Sequence, residues 1–341
     1  MPEFLKQEDK ILPSIDNPDP ELSRREKIDL KFGLQPIVWE EDGKVTIPKI
    51  EFYINHICNL NCKGCNRFND HNFVGHQRWE DYEQELRRWG EHVNISQIVI
   101  MGGEPLLNPT LKEWVHGLNS IWPQALQILS NGTRINRVKG LYDLLNFNVG
   151  GSDFHGPNWI GISLHNSDDY EIILDEVRKF LVEPITESID SKELSNTGSE
   201  LQMIDANGVK VRFWQQNVFV QGAVIPGKNG RLTLRDNDVE LAHTSCAFAQ
   251  FKCYHMIKGK IYKCGPVGIF PDFDDQFDLD LSAEDKKLVR EYQPLSVDEF
   301  AQRGKEFFAT IDEPIPQCKF CPINQNETPE IIYPTIKGKT Q

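Results

Sequence analysis

The sequence predicts an α/β fold built on a parallel, barrel-like sheet. Apolar runs typical of buried strands recur along the chain, and they are separated by segments whose apolar residues fall at helical spacing. Several of these strands lead directly into cysteine, glycine or small polar residues. Because barrel enzymes carry their chemistry on the loops after the strands, this order favours a parallel barrel with its functional residues at one end.

The predicted elements begin with an N-terminal extension, residues 1–48. In this extension, residues 36–39 and 45–47 flank Asp42-Gly43 and predict a small β-hairpin. A strand–helix alternation follows from residue 49. We expect strands at 50–57, 97–101, 126–129, 159–164, 209–214 and 218–224, and helices at about 77–92, after Asn108, at 137–145 and from Asp168. The segment 183–207 is polar, and its sequence assigns it neither to a helix nor to a strand.

Composition excludes several classes of function. The 341 residues include 51 acidic and 37 basic side chains, a formal net charge of −14, and such a surface repels the phosphates of nucleic acids. No apolar run approaches the length of a membrane span, and residues 1–11 are charged rather than signal-like. Eight cysteines without a secretion signal argue against a disulfide framework. We therefore expect a cytoplasmic protein with neither a membrane nor a nucleic-acid partner.

The strand at 50–57 leads into Cys58, Cys62 and Cys65, spaced as C-x-x-x-C-x-x-C. Thiolates select iron–sulfur clusters, copper(I) or zinc over hard cations. Structural zinc sites and cubane clusters normally take four protein ligands, and this segment has three with no obvious fourth. The spacing therefore indicates a cluster with one iron open to a ligand that is not protein.

A second motif, Gly102-Gly103-Glu104-Pro105, directly follows the strand at 97–101. Together and in this order, the two motifs resemble the radical SAM superfamily. The resemblance implies a partial parallel (β/α)6 TIM-like barrel at 49–240. It also implies a [4Fe–4S] cluster on Cys58, Cys62 and Cys65, and S-adenosylmethionine (SAM) whose amino group is held by Gly102, Gly103 and Glu104.

The resemblance extends to the remainder of the SAM site. It assigns contacts with the ribose and carboxylate of SAM to polar residues that end the third and fourth strands, namely Ser130, Asn131, Ser163 and His165. One position departs from the family pattern, because Gly64 stands where an aromatic residue usually packs near the adenine. Phe68 or Phe73 is expected to replace that contact.

The remaining cysteines lie late in the chain, at Cys246, Cys253, Cys264, Cys318 and Cys321. A turn at Lys258-Gly259-Lys260 is expected to return Cys264 beside a strand that carries Cys246, and the terminal C-x-x-C completes a set of four. This layout resembles the auxiliary-cluster domain of the SPASM and twitch subfamilies, which implies a second [4Fe–4S] cluster on Cys246, Cys264, Cys318 and Cys321. We place this small C-terminal domain at 241–341, where Ser296 to Glu299 form a capping box before a helix. A ligand set that includes Cys253, and a four-cysteine zinc site, remain alternatives.

The resemblance implies a radical SAM enzyme that reductively cleaves SAM, abstracts a substrate hydrogen atom and completes an oxidation or a bond formation with the auxiliary cluster. Its substrate is a ribosomal peptide or a small polyol, sugar or amino acid, and its external electron donor is of the flavodoxin or ferredoxin type. The alternative from another class is an iron–sulfur carrier, scaffold or activase without its own small-molecule substrate. The sequence names no catalytic acid or base.

Overall fold

The computed structural model describes residues 35–62, 64–147, 157–164, 169–182, 184–190, 200–215, 222–228, 230–246, 252–323 and 335–336. Its strands are β1 Val38–Trp39, β2 Val45–Tyr53, β3 Leu60–Asn61, β4 Val93–Met101, β5 Leu126–Ser130, β6 Trp159–Leu164, β7 Ile185–Asp190, β8 Glu200–Asp205, β9 Lys210–Gln215, β10 Val224–Pro226, β11 Leu232–Leu234, β12 Cys253–Ile257, β13 Lys260–Tyr262 and β14 Thr335–Ile336. Its α-helices are α1 Glu83–His92, α2 Leu111–Ile121, α3 Leu141–Asn146, α4 Tyr170–Phe180, α5 Val239–Thr244, α6 Gly265–Phe277, α7 Ala283–Glu291 and α8 Phe300–Ala309.

The described residues divide into two compact units that are not consecutive along the chain. The first unit takes its residues from 35–50, 89–99 and 112–216, and the second from 51–88, 100–111 and 217–336. Strands β2 and β4 each contribute residues to both units. The domain boundaries expected at residues 48 and 240 therefore stay predictions. None of the described helices is both long and apolar enough to cross a membrane.

The first unit is an α/β layer around a mostly parallel sheet, which confirms the α/β class, and the partial (β/α)6 barrel with a small C-terminal domain stays a prediction. Its strands follow the order β2-β4-β5-β6-β9-β8-β7. Strand β6 pairs in parallel with both β5 and β9, and its residues are buried except for the half-buried Trp159. The flanking helices bury apolar residues at helical spacing, such as Val115 and Leu118 on α2 and Ile173 and Val177 on α4.

One part of this sheet was missed by the sequence analysis. The polar segment 183–207 contains β7 and β8, an antiparallel pair in which Ile185 lies opposite Asp205, and β8 pairs with β9. Strand β8 buries Leu201 and Met203, whereas Thr186 and Glu187 of β7 are exposed. An edge strand with polar residues carries little periodic signal, because backbone hydrogen bonds rather than buried side chains hold it in the sheet.

The second unit contains both groups of cysteines. Its hairpin of β12 and β13 turns at Lys258 and Gly259, both of which have positive φ, as the sequence predicts. The predicted capping box is present at Ser296 and Glu299 and leads into α8. Helix α6 was not predicted, because its sequence begins Gly-Pro and has Pro271 in its interior, both poor helix formers. Burial of residues such as Phe270 and Phe273 compensates for that low propensity.

Candidate site for a cluster and a cofactor

The two early motifs lie side by side in the second unit. The residues between β2 and Cys58 run beside the segment that follows β4, and three backbone hydrogen bonds join them. Ile54 donates to the Met101 carbonyl over 2.9 Å, Gly103 to Asn55 over 2.8 Å, and Glu104 to the carbonyl of Ile57 over 2.8 Å. The Gly-Gly-Glu segment is thus tied to the residue that immediately precedes Cys58.

Both glycines of the motif are required by this close approach. A Cβ atom at Gly102 would lie 2.5 Å from the carbonyl oxygen of Asn55, and one at Gly103 would lie 2.2 Å from that of Ile57. The atoms in the way are backbone atoms, which cannot rotate aside. Both glycines are predicted to hold the amino group of SAM, and the structure adds that the cysteine segment itself needs the space.

Two buried polar side chains stabilise the same junction. Asn55 is 1% exposed, and its amide donates to the carbonyl oxygens of Ile57 and Glu104 over 2.9 and 3.0 Å. Glu104 is fully buried and accepts from the backbone N–H of Leu106 over 3.1 Å, where it caps a 3-10 helix. Asn55 was missed by the sequence analysis, although an asparagine at the end of an apolar strand is a detectable signal.

The early cysteine loop is compact. Cys62 is buried and Cys58 and Cys65 are half-buried. Burial, reinforced by the neighbouring Cys65 and Cys58, raises the pKa of the Cys62 thiol well above its ordinary value. Three thiolates therefore need a cation to neutralise them, which is the property expected of a metal-binding loop. The donor set and its spacing fit three corners of an iron–sulfur cluster.

The four late cysteines of the predicted set line one pocket that is partly open to solvent. Cys264 is the N-cap of α6. Cys318 lies in a 3-10 helix, and Cys321 follows that helix. Burial, then the nearby Cys321 and Cys246, raise the pKa of the Cys264 thiol well above its ordinary value. The structure thus brings together the four thiols that the sequence groups.

The route by which Cys246 arrives differs from the prediction. No strand carries it; Cys246 follows the short helix α5, whose N-cap Asp238 accepts from the backbone N–H of Leu241 over 2.9 Å. Asn237 then fixes this segment to the C-x-x-C turn, because its amide donates to the Cys321 carbonyl over 2.8 Å. The predicted strand before the turn carries Cys253 instead.

Residues 52–194 match the family model described as the radical SAM superfamily. This segment of the chain is therefore similar to a radical SAM domain. Three solved structures of Streptococcus suis SuiB are similar over 38% of this chain, namely SuiB bound to S-adenosylmethionine, SuiB alone, and SuiB bound to precursor peptide SuiA. Identity is 18% in each, the TM-scores are 0.29, 0.28 and 0.28, and the match spans 28, 27 and 27% of the SuiB chain. No curated protein matches the chain.

Three of the other predicted SAM contacts, Ser130, Asn131 and Ser163, belong to the first unit. Ser130 ends β5 and accepts from the backbone N–H of Gly132 over 3.0 Å. Asn131 accepts from the backbone N–H and the hydroxyl of Thr133 over 3.0 and 2.6 Å. Ser163 is buried near the end of the neighbouring parallel strand β6. His165 lies outside the described residues, so the roles of all four stay predictions.

A buried charged cluster next to the radical SAM motifs was missed by the sequence analysis. Arg67, two residues after Cys65, donates to the carboxylate of Glu51 over 2.9 Å, and the ring of His255 lies 2.9 Å from the same carboxylate. Cys253 completes a group whose potential ligand atoms lie within 4.8 Å of those of Glu51 and His255. The Arg67 guanidinium already supplies the positive charge that the buried carboxylate requires. A glutamate in the apolar strand β2 was the signal available in the sequence.

A second polar chain joins the cysteine loop to α6. His56 lies 2.8 Å from the Tyr53 hydroxyl and 3.2 Å from Asp272, and Lys258 donates to Asp272 over 2.6 Å. The ring of Phe73 stacks on His56 with centroids 3.9 Å apart.

The two candidate aromatic residues for the adenine contact lie in the packing of α6. Phe68 stacks on Phe270, and Phe73 meets Phe273 edge to face. Each ring is only 1% exposed. Both phenylalanines therefore serve as core residues in this structure, which disfavours the predicted contact with adenine.

Proposed function

We propose that this protein is a radical SAM enzyme with two iron–sulfur clusters. The observation that carries the proposal is the set of backbone hydrogen bonds that holds Gly103 and Glu104 directly beside the residues preceding Cys58. Cys58, Cys62 and Cys65 would hold the first cluster and leave one iron for SAM. When bound there, the cluster supplies the single electron that cleaves SAM to methionine and a 5′-deoxyadenosyl radical.

The residues of the chain bind and orient SAM. Glu104 would accept from the SAM ammonium group in a charge-assisted hydrogen bond. Gly102 and Gly103 hold the Glu104 backbone at the cysteine loop. Ser130, Asn131, Ser163 and His165 are proposed contacts for the ribose and carboxylate of SAM.

The second cluster would be held by Cys246, Cys264, Cys318 and Cys321. The four thiols share one pocket and together form the donor set of a cubane. Coordination by four cysteines favours an electron acceptor over a site that binds substrate through an open iron. Held by these four thiols, the cluster would supply a one-electron acceptor for the oxidation of the substrate. An external donor of the flavodoxin or ferredoxin type would supply the first cluster.

The substrate class follows from the resemblance to the SPASM and twitch subfamilies. Ribosomal peptides are the commonest substrates of this group, and small polyols, sugars and amino acids are the others. The glycine-rich loop at 150–156, a candidate for closing over the substrate, lies outside the described residues. We propose two-electron oxidation or bond formation at an unactivated carbon in either class.

Iron counting and SAM cleavage test the proposal together. Anaerobically reconstituted protein should hold about eight irons, and the double variant Cys318→Ala, Cys321→Ala should hold about four. The double variant should still release 5′-deoxyadenosine from SAM. Cys253→Ala is the matched control, because it removes a buried late cysteine outside the shared pocket, and it should keep both clusters.

The triple variant Cys58→Ala, Cys62→Ala, Cys65→Ala should lose SAM cleavage and keep the second cluster. Deoxyadenosine formation by this variant would refute the assignment of the first site. Tightly bound zinc with a single cubane would make the late site structural. A reduced wild-type protein that forms no deoxyadenosine would instead be an iron–sulfur carrier or scaffold.

Glu104→Gln removes the negative charge of the side chain while keeping an oxygen that can cap the 3-10 helix. Glutamine keeps a side-chain oxygen that can accept from Leu106, so the fold should be retained. A charged hydrogen bond contributes about 1.5–3 kcal/mol, so the loss of the charge should weaken SAM binding roughly tenfold or more. An unchanged dissociation constant in a calorimetric titration would show that Glu104 does not contact SAM.

A further inference from the structure

Lys263 is a basic residue beside the four late cysteines. It lies between β13 and Cys264 and is among the residues that line the pocket of the four thiols. The ammonium group donates to the carbonyl and, over 2.7 Å, to the hydroxyl of Thr310, the residue after α8. The C-terminal end of a helix favours a cation, so the fold holds the ammonium group at this position.

Lys263 is half-buried, and a second charged residue belongs to the same pocket. Glu313 is among the lining residues and is exposed. One basic and one acidic residue therefore lie beside the four thiols.

A second lysine beside the late cysteines provides a contrast. Lys319 lies inside the C-x-x-C turn, but its ammonium group pairs with Asp236 over 3.0 Å and with Asp285 over 2.9 Å. It is not among the residues that line the pocket. Two lysines are therefore next to cysteines of the set, and the charge of one is already balanced by two carboxylates.

We infer that Lys263 sets the reduction potential of the auxiliary cluster and makes it a better electron acceptor. The inference rests on the proposed function, because it requires an iron–sulfur cluster at the four cysteines. A cubane with four thiolate ligands is anionic and gains one more negative charge on reduction. A fixed positive charge next to it stabilises the reduced form more than the oxidised form. Lys263 thus acts on the cluster through its charge and does not coordinate iron.

The test measures the potential of the auxiliary cluster alone. In the full-length protein with Cys58, Cys62 and Cys65 replaced by alanine, the remaining cluster is titrated potentiometrically and followed by electron paramagnetic resonance. Lys263→Gln should reduce the equilibrium constant for reduction about tenfold, a shift of about 59 mV to more negative potential for one electron. Lys263→Arg should restore most of the parent value because it keeps the charge.

Two further variants separate the effect of local charge on the reduction potential from the effect of a structural change. Glu313→Gln removes an exposed negative charge from the same pocket and should shift the potential in the opposite, positive direction. Lys319→Gln, the matched control, removes an equal charge outside the pocket and should cause a clearly smaller shift than Lys263→Gln. If Lys263→Gln loses its iron, Glu313→Gln tests the inference in its place. A shift of the Glu313→Gln potential in the positive direction supports the inference, and an unchanged potential in that variant overturns it.

The outcomes also distinguish this inference from the proposed function. A parent that binds zinc, or no iron, refutes the auxiliary cluster and the inference together. A parent that binds about four irons while Lys263→Gln titrates at the parent potential refutes the inference alone. Equal shifts in Lys263→Gln and Lys319→Gln would show that only the total charge of the protein matters.

Discussion

Gly103→Ala tests whether the close approach of the two early motifs is required. The added Cβ would lie 2.2 Å from the carbonyl oxygen of Ile57 and 2.7 Å from that of His56. Real Cβ atoms essentially never approach closer than 3.0 Å. To bring the Cβ from 2.2 Å to at least 3.0 Å from the Ile57 oxygen, the Gly-Gly-Glu segment must move away from the cysteine segment by about 0.8 Å.

The energetic cost follows from the hydrogen bonds in this junction. A retreat of that size would lengthen the 2.8 Å bonds from Gly103 and Glu104 beyond the normal range. Each bond contributes about 0.5–1.5 kcal/mol, and overpacking costs about 1–3 kcal/mol. We expect a loss of about 2–6 kcal/mol in the free energy of unfolding. Cys58 follows Ile57 directly, so cluster loading and SAM affinity should also fall.

Urea denaturation of the reduced apoprotein measures the stability loss, and iron analysis with a SAM titration measures the functional loss. Gly222→Ala is the matched control, because its Cβ would make an ordinary 3.5 Å contact with Gly64. It should change stability by less than about 0.5 kcal/mol. The reasoning fails if Gly103→Ala unfolds at the same urea concentration as Gly222→Ala and binds iron and SAM like the wild type.

Two further predictions concern the buried and half-buried charges around the cysteine loop. Arg67→Met should cost about 3–5 kcal/mol of unfolding free energy because it leaves the buried Glu51 carboxylate without the guanidinium charge, and the double variant with Glu51→Leu should recover most of that loss in urea denaturation. Burial would raise the pKa of Asp272, but hydrogen bonds from His56 and Lys258 outweigh it and hold that pKa below its ordinary value. The ionised carboxylate therefore stabilises the protein above about pH 4, and this stabilisation is lost as pH falls through the depressed pKa. Asp272→Asn should lower the melting temperature at pH 7, and a difference from wild type that persists undiminished at pH 3 would contradict this account.

The sequence by itself determined the features that depend on neighbours along the chain. Residues within one loop or one helical turn are close whatever the rest of the chain does, so the C-x-x-x-C-x-x-C motif, the turn at Lys258-Gly259 and the capping box at Ser296 were all predictable. The apolar period likewise predicted the parallel strands β5 and β6. Local spacing was sufficient for the motif, the turn and the capping box because these three features need no distant partner.

The tertiary structure alone decided which distant residues meet. Arg67 and His255 both contact Glu51, although 188 residues separate the first two along the chain. The same holds for Lys263 and Thr310, and for the helix that delivers Cys246 to its pocket. These contacts are set by the packing of α6, α8 and β12, whose burial stabilises positions that local propensity does not favour. A sequence pattern records which side chains are available, and the packing of the elements determines which charges are buried together.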